Sequence, residues 1–290
     1  MHAEPLTAGR ETGRRKLGII AGGGELPLTL AERCAASGRP YFVVRLRGFA
    51  GAELRQHPGA DLGLAELGHC FAALRAAGCE AVCFAGQVDR PDLTKLKPDL
   101  RGLRALPAAL SAARRGDDAL LRFLVVEFEG EGFVVEGAEA VDAALTLAPG
   151  ALGTCAPALE HQADLALAVR TARSIGALDI GQAAVVAGGL VLAVEAQEGT
   201  DALLLRCAGL PAALRGEAGA RRGVLAKWPK PIQERRVDLP TIGARTVELA
   251  AAAGLAGIAG EAGALLLLDT SALRAAADRL GLFVWGVAPE

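Results

Sequence analysis

The feature that most restricts the fold of this chain is a short apolar run that ends in three consecutive glycines. Leu17–Ala21 is followed directly by Gly22, Gly23 and Gly24. A run of this length, bounded by a glycine loop, is typical of a strand buried on both faces of a parallel sheet. Apolar residues at helical spacing follow over residues 26–37. The segment therefore predicts the strand, loop and helix with which an α/β domain begins.

The same alternation of strand and helix continues along the first half of the chain. Further strands are predicted at Tyr41–Leu46, Ala81–Ala85 and residues 133–136, and helices at residues 69–77, 102–115 and 118–129. Asp117 or Asp118 is expected to cap the last of these helices. Alternating strands and helices form right-handed βαβ units around a parallel sheet. The first half is therefore predicted to be a Rossmann-like domain.

A segment rich in turn-forming residues separates the two halves. It covers residues 148–154, and a chain of 290 residues is long for a single hydrophobic core. We predict a flexible leader over residues 1–15, an N-terminal Rossmann-like domain over 16–147 and a C-terminal mixed α/β catalytic domain over 148–290. A ligand cleft is expected between the two domains.

The second half has a different pattern, in which a hairpin precedes several short strands. Two apolar runs at residues 183–186 and 190–195 flank Gly188 and Gly189, which is typical of a hairpin. The other predicted elements are strands at 224–228, near Ile258, at 265–268 and at Phe283–Val287, and helices at 162–175, 241–253 and 271–280. This half is therefore predicted to be mixed α/β.

Composition excludes several classes of protein. A formal net charge of -2 argues against a nucleic-acid binder, which needs a basic face. Glycines interrupt the apolar runs before they reach the ~20 residues of a membrane-spanning helix. Residues 1–16 do not resemble a signal peptide. We therefore expect a cytoplasmic protein.

Histidine and cysteine are too scattered to form a zinc site. The four histidines do not cluster, and the six cysteines contain no C-x-x-C pair. Carboxylates would have to bind any metal, which favours magnesium or manganese. The chain also lacks a P-loop and a G-x-S-x-G motif, which argues against P-loop nucleotide binding and serine-hydrolase chemistry.

The three glycines after the first strand are candidates for binding an anion. Glycines let the backbone approach a ligand, and free N–H groups lie at the start of the following helix. A tight turn without a ligand is the alternative, but three successive glycines exceed what a turn requires. Gly86 and Gln87 end the third strand and are expected beside this loop, because the carboxyl ends of parallel strands share one edge.

A dinucleotide-binding fingerprint fits the glycine loop poorly. The last glycine of G-x-G-x-x-G falls on Pro27, and Arg45 and Arg47 stand where NAD-binding folds place an acidic residue. NAD is therefore disfavoured. The two arginines leave an NADP-dependent oxidoreductase open as an alternative.

Three acidic residues follow the predicted hairpin. Glu195, Glu198 and Asp201 lie close together in the sequence and could hold a hard cation or receive a basic ligand. Alternatively, Thr200 and Asp201 are caps of the next helix. We favour capping for Asp201 and a polar site role for Glu198.

Residues 227–241 carry the densest group of charges. Lys227, Lys230, Arg235 and Arg236 lie among three prolines, and fixed cations of this kind suit a diphosphate. Charge runs usually form a solvated surface, but a surface loop gains nothing from the stiffness of three prolines. Asp238 follows the cations, where a carboxylate could bind magnesium or orient water.

Together these segments resemble the LpxI family, which hydrolyses the diphosphate of UDP-2,3-diacylglucosamine in bacterial lipid A biosynthesis. The resemblance covers nearly the whole chain after the leader, and the motifs occur in order in both halves. It is carried by residues 17–27, Gly86-Gln87-Val88 with Arg90-Pro91, Gly116-Asp117-Asp118, residues 179–182, Glu195 with residues 198–201, and residues 227–243.

The resemblance implies two α/β domains with the substrate between them, a homodimer and dependence on Mg²⁺. It implies the products UMP and 2,3-diacylglucosamine 1-phosphate (lipid X), with water attacking the β-phosphorus. We also expect peripheral contact with the inner-membrane surface. A non-catalytic sugar-nucleotide sensor is a further alternative, because binding and hydrolysis use most of the same residues.

The site residues predicted from the motifs and the resemblance lie in both halves of the chain. Asp238 is implied to be the catalytic residue, and we assign it to the magnesium as well. Substrate contacts are expected from Gly23, Gly24, Leu26, Gly86, Gln87, Gln182, Glu198, Gly199, Thr200, Lys227, Lys230, Gln233, Arg236 and Thr241.

Overall fold

The computed structural model describes residues 14–88, 96–231 and 233–289. The chain forms two compact units. The first comprises the chain up to Leu110 together with Leu124–Glu136, and the second comprises Ser111–Phe123 together with Gly137–Glu290. The predicted limits of 16–147 and 148–290 stay a prediction. Most of the predicted leader, residues 1–13, lies outside the described residues.

The first unit is built on a five-stranded parallel sheet. Its strands are β1 (Leu17–Ala21), β2 (Tyr41–Leu46), β3 (Gly59–Leu62), β4 (Ala81–Ala85) and β5 (Val134–Val135), in the order β3-β2-β1-β4-β5. The predicted parallel sheet is confirmed, and β1, β2 and β4 have the predicted bounds. The sequence did not predict β3, because its residues GADL contain little apolar character and lie at a partly exposed edge.

The described helices of this region are α1 (Leu26–Ala36), α2 (Leu67–Ala76), α3 (Leu100–Ala113) and α4 (Asp117–Gly130). They start and end within two residues of the predicted positions. Phe128 of α4 makes edge-on contacts with Phe71 of α2 and Phe84 of β4, with ring centroids 4.9 and 5.0 Å apart. These aromatic pairs extend the apolar core that covers the sheet. Both Asp117 and Asp118 lie in the first turn of α4 and not before it.

The second unit contains a six-stranded mixed sheet. In chain order, the described strands of this unit are β6 (Gly150–Ala151), β7 (Ala183–Ala187), β8 (Leu190–Val194), β9 (Gly216–Glu217), β10 (Ala220–Arg221), β11 (Val224–Lys227), β12 (Thr241–Ile242), β13 (Gly257–Glu261), β14 (Leu266–Leu267) and β15 (Phe283–Val287). β9 pairs with β10, and β12 pairs with β14, in two small separate sheets. The large sheet has the order β6-β15-β13-β11-β7-β8. β11, β13 and β15 run parallel, whereas β6, β7 and β8 pair antiparallel. The predicted mixed α/β class is confirmed.

The described helices of the second unit are α5 (Ala138–Val141), α6 (Gln162–Ala177), α7 (Gly199–Ala208), α8 (Ala212–Arg215), α9 (Ala244–Ala252) and α10 (Thr270–Leu280). Helix α6 packs on β7 and β11 through the fully buried Ala168 and Ala172. The larger core is formed mainly by alanine, valine and leucine from β7, β11, β13, α7, α9 and α10. In the described parts of the chain, no helix has the combined length and apolar character required to cross a membrane.

The hairpin of β7 and β8 is confirmed. Gly188 and Gly189 both have positive φ, at 58° and 75°, as a tight two-residue turn requires. The buried Asp164 fixes this turn, because its carboxylate accepts the N–H groups of Gly188 at 2.8 Å and Gly189 at 2.7 Å.

The predicted helix at residues 241–253 begins too early. Thr241 and Ile242 form β12, which pairs with Leu266 and Leu267 of β14, and α9 starts at Ala244. Two β-branched residues after Pro240 favour the extended conformation, and β14 supplies their hydrogen-bond partners.

Close backbone packing around β15 should make the free energy of unfolding sensitive to substitution of Gly286. A Cβ added at Gly286 would lie 1.9 Å from the carbonyl oxygen of Ala148, whereas one at Gly219 would meet no atom within 4 Å. Gly286→Ala should lower the free energy of unfolding by about 1–3 kcal/mol, measured by urea denaturation. Gly219→Ala should change it by less than about 0.5 kcal/mol. Equal stability of the two variants would contradict the observed packing.

A second prediction concerns the pH dependence of stability. Burial raises the pKa of Glu139 above its ordinary value of 4.5, and its Oε2 has no partner among the described residues. The folded protein therefore holds this proton more tightly than the unfolded chain does. The resulting stability is present below pH 4.5 and is lost as the pH rises through the folded-state pKa.

The free energy of unfolding of the unsubstituted protein should therefore fall between pH 4.5 and about pH 7, and this fall should be smaller for Glu139→Gln. Urea denaturation at several pH values measures both. The exposed Glu32 of α1 offers a matched control. Glu32→Gln should leave the pH profile unchanged. The same profile for Glu139→Gln and the unsubstituted protein would refute the assignment.

Candidate functional site

The glycine loop after β1 and the end of β4 are joined by backbone hydrogen bonds. Gly22 N donates to Ala85 O at 2.8 Å, Gly23 N donates to Gln87 O at 2.8 Å, and Gln87 N donates to Gly23 O at 2.9 Å. The prediction that Gly86 and Gln87 lie beside the glycine loop is confirmed. Five predicted site residues (Gly23, Gly24, Leu26, Gly86 and Gln87) therefore belong to two adjoining segments at the carboxyl ends of β1 and β4.

This contact explains two of the glycines structurally. A Cβ at Gly22 would lie 2.6 Å from Gln87 O, and a Cβ at Gly86, where φ is +87°, would lie 2.3 Å from Gly23 O. Gly24 differs, because its Cβ position is open and the residue is exposed. Close packing thus requires Gly22 and Gly86, whereas Gly24 lies at the surface with a φ of +84° that favours glycine. Asp89, Arg90 and Pro91, which continue the second segment, lie outside the described residues.

The two arginines that left NADP open both bind the protein itself. The buried Arg45 binds the Asp61 carboxylate through Nε at 3.1 Å and the carbonyls of Leu54 and His57 through Nη1. Arg47 donates to Asp61 O at 3.0 Å and to the Glu66 carboxylate at 2.6 Å. The hydrogen bond from Arg45 lowers the pKa of Asp61. These arginines therefore hold β3 and the segment after it.

A pocket of about 490 Å³ lies at the end of β2. Its lining residues are Leu46, Arg47, Gly48, Ala50, Gly51, Ala52, Arg55 and Asp61. None of the predicted site residues is among them. Phe49, which lies between two lining residues in the sequence, is close to the glycine loop, because its carbonyl oxygen would be 3.3 Å from a Cβ at Gly23. The Asp61 carboxylate and the Arg47 guanidinium in its lining are bound to other side chains of the protein, and we assign the pocket no role.

In the second unit, Gln233 organises the segment between β11 and β12. Residues 228–240 of this segment are called the basic loop below. The buried Gln233 side chain accepts Lys230 N through Oε1 at 2.9 Å and donates through Nε2 to the Asp238 carboxylate. Its backbone N–H donates to Lys230 O at 3.0 Å. Three predicted site residues (Lys230, Gln233 and Asp238) are thereby brought together.

Side chains and backbone from elsewhere in the second unit anchor the basic loop. Asp118 Oδ1 accepts Glu234 N at 2.9 Å, Asp179 Oδ1 accepts Lys230 Nζ at 2.7 Å, and Gln182 O accepts Trp228 N at 2.8 Å. Three segments that the resemblance singled out, at 116–118, 179–182 and 227–243, therefore meet through hydrogen bonds. The predicted capping role of Asp118 is wrong, because its carboxylate binds the basic loop and Arg122.

The arginines of the basic loop are paired with carboxylates. Arg236 binds Glu234 through Nε at 2.9 Å and Nη2 at 3.0 Å, and this hydrogen bonding lowers the pKa of Glu234. Arg235 binds Glu261 through Nη1 at 2.7 Å and Nη2 at 3.3 Å. Both pairs are bidentate, so each guanidinium is held in one orientation.

Lys227 lies at the end of β11 with its ammonium group inside the protein. The residue is 8% exposed, and Nζ donates to Thr241 O at 2.8 Å. Burial lowers the pKa of Lys227, while the negative charges of Glu195, Asp201 and Asp238 oppose that shift. Two predicted contacts, Lys227 and Thr241, are thus joined directly, and Asp238 acts on the lysine through its charge.

The three acidic residues after β8 have separate partners. The buried Glu195 accepts Thr200 Oγ1 at 2.7 Å, Glu198 binds Arg206 at 2.9 Å, and Asp201 binds Arg245 at 2.6 Å. Within the described ranges, no three or more His, Cys, Asp or Glu residues are grouped as a metal site. The three acids therefore do not form a shared cation site.

The predicted cap of α7 is also wrong. The helix starts at Gly199 with Glu198 as N-cap, so Thr200 and Asp201 both lie in its first turn. Gly199 has φ +80°, which L-amino acids other than glycine rarely adopt, and this conformation sets the start of the helix before Thr200.

Sequence reasoning left out Asp179 and Glu234 as individual site residues, and it named Glu195 only as part of a possible cation site. All three belong to segments quoted for the resemblance, which is the signal that could have identified them. Their roles depend on contacts that spacing does not reveal. Asp179 binds Lys230, 51 positions away, and has the left-handed φ of 55° that is uncommon outside glycine.

Two family models match the chain in consecutive segments. The LpxI N-terminal domain matches residues 16–145, and the LpxI C-terminal domain matches residues 148–285. A relative from Caulobacter vibrioides, UDP-2,3-diacylglucosamine pyrophosphatase LpxI, is 62% identical over 276 residues. That match covers 95% of this chain and 99% of the relative.

The anchor at Asp118 predicts a local change in backbone protection. Asp118→Ala removes the acceptor of Glu234 N–H. If this hydrogen bond contributes about 1 kcal/mol to the free energy of local opening, hydrogen exchange at Glu234 should accelerate about fivefold or more. Asp117→Ala removes the neighbouring first-turn carboxylate and is the matched control, which should leave this exchange rate unchanged. Exchange at Glu234 that is insensitive to Asp118→Ala would show that the anchor does not hold the basic loop.

Proposed function

Because the chain belongs to the LpxI family, we propose that it hydrolyses the diphosphate of UDP-2,3-diacylglucosamine in lipid A biosynthesis. The products are UMP and 2,3-diacylglucosamine 1-phosphate, with water attacking the β-phosphorus. The observation that carries this proposal is the match of both domains, in order, to a pyrophosphatase of nearly the same length. The placement of the basic loop supports it independently, because cations and a carboxylate occur there together.

The chemical difficulty of the reaction is the negative charge of the diphosphate. That charge repels a nucleophile, and further charge moves onto the leaving UMP as the bond breaks. Fixed positive groups lower the barrier because they stabilise the charge as it develops. Lys230 and Arg236 are assigned to this task, since Gln233 and Glu234 fix the surrounding backbone and guanidinium before substrate arrives. Lys227 lies inside the protein, where its Nζ holds Thr241, another predicted contact.

Asp238 is assigned the catalytic role. Gln233 Nε2 donates to its Oδ2, and in the described chain Oδ1 receives no hydrogen bond. The first contact fixes the orientation of the carboxylate, and the second oxygen remains available to a water molecule or a metal. A carboxylate held in this way can align the attacking water and accept its proton.

The residues of the basic loop fit a magnesium ion that is shared with the substrate. Mg²⁺ commonly takes one or two protein carboxylates and completes its coordination with phosphate oxygens and water, so a larger cluster of acids is unnecessary. Asp238 would be its protein ligand. When bound, the ion would neutralise phosphate charge and polarise the phosphoryl oxygen. Lys230, Arg236 and Asp238 would still bind and orient the diphosphate and the attacking water.

Two other functions have less support. The NADP-dependent oxidoreductase is weakened because Arg45 and Arg47 already bind Asp61 and other groups of the first unit. A sugar-nucleotide sensor would bind a UDP-sugar without releasing UMP. The proposal further includes a homodimer in the cytoplasm that contacts the inner-membrane surface, where a diacylated substrate resides.

Asp238→Asn should lower the rate of UMP release from UDP-2,3-diacylglucosamine by about a hundredfold or more, because it removes the charge that aligns water or binds magnesium. The assay measures UMP by chromatography with and without Mg²⁺ after treatment with EDTA. Glu248→Gln, which removes a surface partner of Arg279, is the matched control and should retain full activity. Near-normal turnover by Asp238→Asn would refute the catalytic role.

If the unsubstituted protein binds the substrate but releases no UMP at any Mg²⁺ concentration, the sensor is favoured over the enzyme. Equal UMP release before and after EDTA treatment would contradict the proposed magnesium dependence and leave the hydrolysis intact.

A further inference from the structure

Glu195 is a buried acid that follows β8 and has no basic residue within ion-pair distance in the described chain. It is 5% exposed. A carboxylate that is removed from water costs several kcal/mol unless hydrogen bonds or charges compensate for the lost hydration. The contacts that supply this compensation show what the residue does.

The Glu195 carboxylate accepts hydrogen bonds from two other segments of the second unit. Oε1 accepts the hydroxyl of Thr200 at 2.7 Å, and Oε2 accepts the backbone N–H of Gln182 at 3.1 Å. Thr200 and Gln182 lie on different elements, the first in the first turn of α7 and the second immediately before β7. One carboxylate therefore fixes two predicted substrate contacts relative to each other.

Glu195 also acts on Lys227. Among the three anions that favour the charged form of this buried lysine, Glu195 makes the largest contribution. Lys227 in turn holds Thr241, and the residue after Lys227, Trp228, donates its N–H to Gln182 O at 2.8 Å. Gln182 is therefore bound on its N–H side by Glu195 and on its carbonyl side by the start of the basic loop.

The side-chain amide of Gln182 carries an acceptor that no described group uses. Its Oε1 atom is buried and has no hydrogen-bond partner in the described chain. A buried acceptor of this kind costs about 1–3 kcal/mol unless a donor reaches it. The hydroxyls of a sugar nucleotide are donors of the required kind, so the backbone position set by Glu195 decides whether the amide meets them.

We propose that Glu195 is a positioning residue of the substrate site, which fixes Gln182 and Thr200 with a single buried carboxylate. The inference rests on the proposed function and adds a residue to it. Glu195 itself does not touch the substrate. It acts through Gln182 and Thr200, which are assigned to the substrate.

The test needs a control that is equally buried but serves only the fold. Asp164 meets this requirement, because it is 7% exposed and accepts two backbone N–H groups at the β7–β8 turn. Glu195→Gln and Asp164→Asn each replace a buried acid by its amide. Both should lower the midpoint of thermal unfolding, so kinetics are measured well below both midpoints.

Glu195→Gln should lower kcat/KM for UMP release by about tenfold or more, with the larger part of the loss in kcat. Its amide removes the negative charge near Lys227 and places a donor against Gln182 N–H or Thr200. Asp164→Asn should retain kcat/KM within about twofold of the unsubstituted value. Reduced stability of Glu195→Gln with unchanged kcat and KM would overturn the proposal.

A second pair of variants covers the case in which Glu195→Gln does not fold. Thr200→Ser keeps the hydroxyl that binds Glu195, whereas Thr200→Val keeps the shape and removes the hydroxyl. Thr200→Ser should retain most of the activity and Thr200→Val should lose about tenfold. Equal activity of these two variants would also overturn the proposal.

The outcome can be separated from failure of the proposed function. If the unsubstituted protein releases no UMP, the function itself fails. If it releases UMP and the variants behave like the control, only the role of Glu195 fails.

Discussion

The hydrogen bond from the buried Gln233 amide to Asp238 is the interaction on which the candidate site depends. The same side chain accepts Lys230 N, so one residue fixes the backbone at Lys230 and the carboxylate of Asp238. Lys230 and Asp238 carry opposite charges and would tend to neutralise each other if they met. The Lys230 ammonium group is instead paired with Asp179, and the Asp238 carboxylate is held by Gln233.

The basic loop gains its shape from three sources. Prolines restrict its backbone, hydrogen bonds that it donates to Asp118, Asp179 and Gln182 anchor it, and bidentate ion pairs orient its arginines. Such ion pairs contribute little stability when they are exposed, but they restrict geometry. Groups that are fixed before the substrate arrives require no reorganisation during the reaction, and this is the main way in which a protein stabilises a charged transition state.

The sequence predicted those elements whose signal is local. β1, β2 and β4 are continuous apolar runs that end at glycine or polar residues, and their bounds were predicted correctly. β3 was missed because an edge strand needs few apolar residues, and Thr241 was placed in a helix because its partner strand β14 lies 25 positions later. In both segments, pairing with a strand that is distant in the sequence determines the extended conformation.

Within the site, the sequence revealed charge but not burial. Lys227 and Arg236 look alike in a basic segment, yet Lys227 is enclosed by the fold and Arg236 is held by Glu234 in the same loop. The roles of Asp118 and Glu195 depend on contacts with residues that are distant in the chain or of ordinary sequence character. Folding creates these contacts, and no spacing rule could have predicted them.

The most direct test of this account is a double-mutant cycle between Gln233 and Asp238. Gln233→Met removes the amide donor with little change in length, and kcat/KM for UMP release is measured for both single variants and the double variant. If Gln233 acts by orienting Asp238, its substitution costs about tenfold or more alone and much less in the Asp238→Asn background. If the fold-losses in kcat/KM of the two single variants multiply to give the loss of the double variant, the two residues act independently and the account is contradicted.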